Sequence, residues 1–206
     1  MRTPDPELPG RRREQILEAA AVCFVRYGFH QTSMKEICAA AQMSPGALYR
    51  YFDSKDAIIE AIADKHRVET AAFLQKLTDS EDFVTGFIDT ATQALQVSIE
   101  KECPRLGVEI LAEASHNPKV AQLFEKTDAA TKKTLVRLLR SAMQRGEVDA
   151  TIKAEPVAEI LLALIEGIEG RSILKPSPKF RTLEPTFVLL ISRLLKPARK
   201  NSGRGE

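Results

Sequence analysis

The residues best placed to do chemistry lie in the run Ser44 to Tyr51, SPGALYRY. Ser44 is a good helix N-cap, and Pro45 suits the first helical position, where its missing N–H is no loss. Leu48 and Phe52, four residues apart, turn inward. Gly46, Ala47, Tyr49, Arg50 and Tyr51 are then left around a helix too short to stand alone. Small residues permit close approach to a groove, and phenol and guanidinium groups reach phosphate oxygens and base edges. The chemistry this supports is non-covalent recognition of duplex DNA. Catalysis finds no comparable support: there is no nucleophile elbow, no His or Cys cluster at metal-ligand spacing and no phosphate-cradling glycine loop. No enzyme activity, metal or cofactor is expected, and Glu109 and Glu113 alone do not make an acid–base pair.

The elements around this run must hold it outward. Ser33 caps a preceding helix, with Glu36 three residues on to close a capping box, and Met34, Ile37, Cys38 and Ala41 recur at helical spacing. Gln42 and Met43 make the break. Further upstream, Arg11 to Tyr27 is an amphipathic helix with Ile16, Ala20, Cys23, Phe24 and Tyr27 on one stripe and Gly28 as its left-handed cap. The triplet Arg11, Arg12 and Arg13 opens it, where the helix dipole favours acids. Nearby phosphates would explain that placement; a solvated arginine cluster is the alternative. Residues 11–55 hold seven Lys and Arg against four Asp and Glu, an excess larger than the whole chain's +2, so the remainder is net negative. All three tyrosines fall in the same segment.

Downstream, a long helix runs from Lys55 to about Leu77, capped by Asp53 or Ser54. Others follow from Asp82 to Lys101, Pro104 to Ser115, Pro118 to Gly146, Glu155 onward, and Leu183 to Leu195. No segment alternates with period two, so the fold is all-α with about nine helices. The last two long helices are apolar on more than one face and are either buried in the monomer or paired with a second copy. Gly167 and Gly170, each costing roughly 1 kcal/mol relative to alanine, fit the close approach of another backbone. Residues 1–10 read as a flexible arm, 11–54 as the DNA-binding domain, 55–196 as a second domain, and 197–206 as a disordered basic tail.

The order Thr32, Ile37, Ala41, Ser44, Gly46, Leu48, Tyr49, Tyr51, Phe52, Lys55 resembles the helix-turn-helix of the tetracycline-repressor (TetR) family. The family usually has Gly where this chain has Gln42, commonly Val at Met43 and often Ala at Cys38; a left-handed non-glycine costs roughly 1 kcal/mol. The resemblance implies a dimeric, ligand-responsive transcriptional regulator, most often a repressor, that binds a palindromic operator and is released by a small-molecule inducer. It implies a homodimer through the last two helices, whose recognition segments lie about 34–36 Å apart. By the same resemblance Thr32, Ser33, Tyr49, Tyr51 and Lys55 meet phosphates, as does the Arg11–Arg13 start of the first helix. Lys35, Pro45, Gly46, Ala47 and Arg50 lie where the family meets base edges.

The family also encloses a ligand cavity, for which Phe73, Phe83, Phe87, Leu106, Ile110, Phe124, Leu139 and Met143 are candidate walls; ordinary core is the alternative for most of them. Glu109, Glu113, His116 and Glu166 stand beside apolar stripes. Glu109 and Glu113 are either a solvated face or, turned inward, a preference for a cationic or hydrogen-bond-donating ligand. His116 reads as a loop or capping residue, and His30 and His66 as surface. The rival to a ligand-released repressor is a constitutive DNA-binding protein or a helical protein-interaction module.

The composition, 44% hydrophobic and 28% charged over 206 residues, is that of a globular protein. Without a long apolar run or signal peptide, and with three cysteines at no metal spacing, the chain is expected in the cytoplasm, away from membranes. Cys23 and Cys38 lie on inward stripes, whereas Cys103, in a loop between Lys101 and Arg105, is placed for a thiol sensor.

Overall fold

The computed structural model describes residues 8–100, 103–174 and 179–196. Among these residues are nine helices and no strand: α1 (Leu8–Tyr27), α2 (Met34–Ala40), α3 (Pro45–Tyr49), α4 (Lys55–Thr78), α5 (Phe83–Glu100), α6 (Cys103–Ala114), α7 (Pro118–Arg145), α8 (Ala154–Ser172) and α9 (Phe180–Leu195). The all-α expectation holds. No helix among them is long and apolar enough to cross a membrane. The tail 197–206, most of the N-terminal arm and Lys101 lie outside the described residues.

Two starts differ from expectation by more than one residue. The first helix begins at Leu8, three residues before the arginine triplet, because Pro9 falls in the first turn, where proline is tolerated. The last begins at Phe180 and carries Pro185 inside it. Phe180 is buried and packs edge-on against Phe187, ring centroids 6.2 Å apart, so tertiary packing outweighs the proline signal.

The chain divides into two compact units, one of residues 1–68 with 105–127, the other of residues 69–104 with 128–206. The packing boundary therefore falls inside α4, α6 and α7. Ile58, Ile59 and Ile62 explain this: the first turns of α4 enter the same core as Ile16 and Phe24 of α1, Ile37 of α2 and Leu48 of α3. Ile110 of α6 and Val120 of α7 complete that core.

In the second unit Phe83, Phe87 and Leu95 of α5 pack with Leu135 and Leu139 of α7, Leu161 of α8, and Phe187 and Ile191 of α9. Glu147 accepts the Phe83 N–H at 2.9 Å, and Arg145, then burial and that N–H, shape a carboxyl pKa held below its ordinary value. Burial within the protomer accounts for one face of the apolar last helices and not for another. Val157, Leu161, Phe187, Ile191 and Leu195 are buried, while Ile160, Leu189 and Leu190 are about half exposed in the protomer (54%, 49% and 49%). A Cβ at Gly167 or Gly170 would meet open space.

Candidate nucleic-acid interface

Local chemistry sets up α2 and α3. At Ser33 the capping box is complete: the Glu36 N–H donates to the Ser33 hydroxyl at 3.3 Å, and Glu36 Oε2 accepts the Ser33 N–H at 2.6 Å. Those Ser33 bonds, backbone first, lower the Glu36 carboxyl pKa. At the other end the Gln42 N–H reaches Ala39 O and the Met43 N–H reaches Cys38 O, at 3.1 and 3.0 Å. This is the paired pattern of a Schellman ending, with Gln42 left-handed at φ +52°.

The absent turn glycine gives a measurable expectation. Gln42→Gly removes about 1–2 kcal/mol of left-handed strain and adds about 0.4–1 kcal/mol of freedom to the unfolded chain. A net stabilisation of roughly 0.5–1 kcal/mol should appear in urea denaturation; destabilisation would show that the Gln42 side chain contributes something else.

Ser44 caps α3, its hydroxyl accepting the Ala47 N–H at 3.3 Å, and Pro45 takes the first helical position. Leu48 and Phe52 are buried, at 0% and 3% exposure. Pro45, Gly46, Tyr49 and Arg50 are exposed and Ala47 is half-buried. At 52% exposure Tyr49 is not packed away, whereas Tyr51 is half-buried against the first unit's core. Lys35 on α2 is exposed, as are Arg11, Arg12 and Arg13 on α1. Arg12 donates to Gln15 Oε1 at 2.8 Å, and the Gln15 amide donates to Ala41 O at 2.8 Å, so α1 caps the C-terminus of α2. The Arg13 guanidinium lies 4.3 Å above the Phe52 ring. Gln15 carried no sequence signal, since its partner lies 26 residues away.

Three residues expected at phosphates are engaged within the protein. Thr32 is 1% exposed, and its hydroxyl is shared between Gly28 O at 2.8 Å and Cys23 O at 3.2 Å. Lys55 donates to the carbonyls of Phe29 and Thr32 at 2.5 and 2.9 Å, with His30 O at 3.4 Å, and its ammonium sits 4.2 Å over the Phe29 ring. Burial lowers its pKa, against the pull of Glu113, Asp56 and Glu36. The Ser33 hydroxyl already donates to Glu36, at 2.9 Å. Thr32 and Lys55 hold the loop before α2 and Ser33 caps that helix; of the cations expected at DNA, Arg11, Arg12, Arg13, Lys35 and Arg50 are exposed.

The candidate ligand residues separate into the two units. Leu106, Ile110 and Phe124 join the first unit's core, while Phe73, Phe83, Phe87, Leu139 and Met143 join the second, where Phe87 packs against Phe73 and Phe83 at 6.3 and 6.1 Å. Phe83, Phe87 and Leu139 are fully buried core. Glu166 is exposed on α8; crowding by surrounding atoms, then Asp128, Glu169 and Glu159, raise its carboxyl pKa. The solvated-face alternative fails for Glu113, which is 4% exposed and accepts from Asn117 at 3.0 Å, and Glu109 is half-buried with Oε2 beside Gly28. His30 is a surface residue, as expected, yet its Nε2 comes within 3.1 Å of Glu113 Oε2. Cys103 is the first residue of α6 and not a loop residue; its thiol lies outside what the structure describes.

Residues 16–62 match the bacterial regulatory proteins of the tetR family, and residues 92–185 match the C-terminal region of BetI-type transcriptional repressors. The transcriptional regulator UidR of Escherichia coli K12 is 31% identical over 156 residues, covering 76% of this chain and 79% of UidR. The structure of Salmonella enterica GusR is 30% identical with a TM-score of 0.76, covering 94% of this chain and 98% of that one. FadR of Bacillus subtilis, solved with stearoyl-CoA, shares the fold at 15% identity and a TM-score of 0.74 over 86% of this chain and 96% of its own. Both ends of the chain thus match one kind of protein, and the exposed α3 edge is what such a protein needs: the chain belongs to the TetR family and is a DNA-binding transcriptional regulator.

Proposed function

We propose that two copies of this chain bind one palindromic operator, each placing α3 in a major groove, and that a small molecule held by the helices behind releases them. The observation that carries the reading is the α3 edge. A five-residue helix buries Leu48 alone and leaves Pro45, Gly46, Tyr49 and, at its end, Arg50 exposed. Ser44, Pro45, Gly46 and Ala47 let the backbone approach, and Arg50 and Lys35 donate to guanine O6 and N7. Tyr49, Tyr51 and the Arg11–Arg13 triplet meet phosphates.

Homodimerisation through α8 and α9 is supported by the half-exposed Ile160, Leu189 and Leu190 and by the open space beside Gly167. Twofold symmetry of the protein then matches twofold symmetry of the site. Phe73 and Met143, half-buried against the second unit's core, are the apolar surfaces offered to an inducer. FadR of Bacillus subtilis, solved with stearoyl-CoA, supports a small-molecule ligand for this fold. An inducer works by binding better to the spacing of the two heads that DNA does not accept. The place of action is the cytoplasm, where bacterial DNA lies.

Arg50→Ala tests the core of this reading. Specific operator affinity should fall by about 1–3 kcal/mol per half-site, with relaxed preference at the base beneath it. Selection of bound fragments from random duplexes, repeated with the variant, measures both; an unchanged preference would remove Arg50 from base reading.

A further inference from the structure

Glu113 is a buried ionisable group that DNA reading does not by itself require. Its Oε1 accepts from Asn117, while its Oε2 is buried without a hydrogen-bond partner. A buried carboxylate oxygen in that condition is costly unless a cation compensates it. His30 stands opposite: its Nε2 is 3.1 Å from Oε2, an ion-pair distance that does not meet hydrogen-bond geometry. The His30 side chain is 74% exposed, so it can take up a proton from solvent.

The position of the pair gives it a consequence. His30 lies in the loop between Tyr27 and α2, which α4 grips through the Lys55 ammonium on the carbonyls of Phe29, His30 and Thr32. Glu109, one turn before Glu113 on α6, places Oε2 where it would be 3.6 Å from a Cβ on Gly28, in the same loop. Ser33, the residue after the loop, caps α2. The loop is thus held by Lys55 of α4 and met by two α6 carboxylates. The charged groups around the pair are Lys55 from α4 and Glu109 from α6, with Glu36 and Asp56 acting on Lys55.

Resting on the DNA-reading function above, we propose that Glu113 is a positioning residue, and that protonation of His30 completes a tie from α6 to the loop leading into α2, raising operator affinity as pH falls. Histidine is the side chain whose ordinary charge change lies between pH 5 and 8. The protonated ring adds a cation in contact with Oε2, beyond the longer-range attraction of the Lys55 ammonium for Glu113, and the tightened loop fixes α2 and α3 before DNA arrives. A reading head already fixed loses less freedom on binding. A largely exposed imidazole limits each tie to a modest effect, and two act per dimer.

The test uses the full-length protein and a duplex selected from random DNA, with anisotropy titrations at pH 6 and pH 8 and fixed ionic strength. Wild-type affinity should be roughly three- to tenfold higher at pH 6. His30→Gln, at an exposed position, should abolish the difference; His66→Gln should leave it intact. Glu113→Gln should also abolish it, with circular dichroism confirming its helicity. A pH difference that persists in His30→Gln overturns the proposal. So does one that is lost in His30→Gln but kept in a folded Glu113→Gln, because His30 would then be meeting phosphate directly. Absence of sequence-specific binding at either pH would instead overturn the DNA-reading function itself, and the tie with it.

Discussion

Between about 50 mM and about 200 mM salt, affinity for a selected operator is expected to fall by about 10³–10⁵-fold. The cause is counterion release: each phosphate neutralised by a lysine or arginine frees condensed cations, and the freed ions favour dissociation more strongly as bulk salt rises. Net charge would not suggest so large an effect, since the chain carries only +2. Distribution does. Arg11, Arg12, Arg13, Lys35 and Arg50 are all exposed on α1, α2 and the end of α3. In the proposed dimer, less the donors assigned to bases, they would suffice for roughly six to ten phosphate contacts. Lys55 is left out of that number because its ammonium is held by backbone carbonyls. Titrations at four or more salt concentrations give the slope directly, with about −5 to −9 expected on logarithmic axes. A slope near zero would favour the protein-interaction reading of the helix-turn-helix.

The sequence was most informative where structure is local. Ser33 with Glu36, the break at Gln42, and Ser44 with Pro45 are signals complete within a few residues, and each one is found in place. Helical spacing likewise placed Leu48 and Phe52 inward, with Ile16, Ala20, Cys23 and Phe24 of α1. What stayed illegible depends on partners far along the chain. A buried threonine and an exposed one look alike in sequence; Thr32 is buried because the carbonyls of Cys23 and Gly28 converge on it. Lys55 could equally meet a phosphate until its contacts with the Phe29–Thr32 loop are seen. Spacing placed Glu109 and Glu113 on one helix face but could not say which way that face turns. The early start of α9 was hidden by Pro185, whose local penalty is outweighed by the burial of Phe180.

Leu48→Ala should destabilise the first unit by about 2–5 kcal/mol. Leu48 is 0% exposed and sits in one cluster with Phe24, Ile37, Phe52 and Ile58. Truncation removes three carbon atoms from that cluster and leaves a cavity that its helical neighbours refill only in part. Against typical domain stabilities of about 5–15 kcal/mol this is a large fraction. Function should suffer beyond the global loss, because Leu48 is the single buried side chain of α3. A helix of five residues has no stability of its own, so without its anchor it has little to hold Arg50 and Tyr49 in register. Leu48→Met, nearly equal in volume, should cost less than about 1.5 kcal/mol and keep operator binding. Urea denaturation and operator titration of the three proteins at a temperature where all remain helical separate the two effects. If Leu48→Ala bound operator as tightly as wild type, α3 would be held in place by something other than its docking into this core.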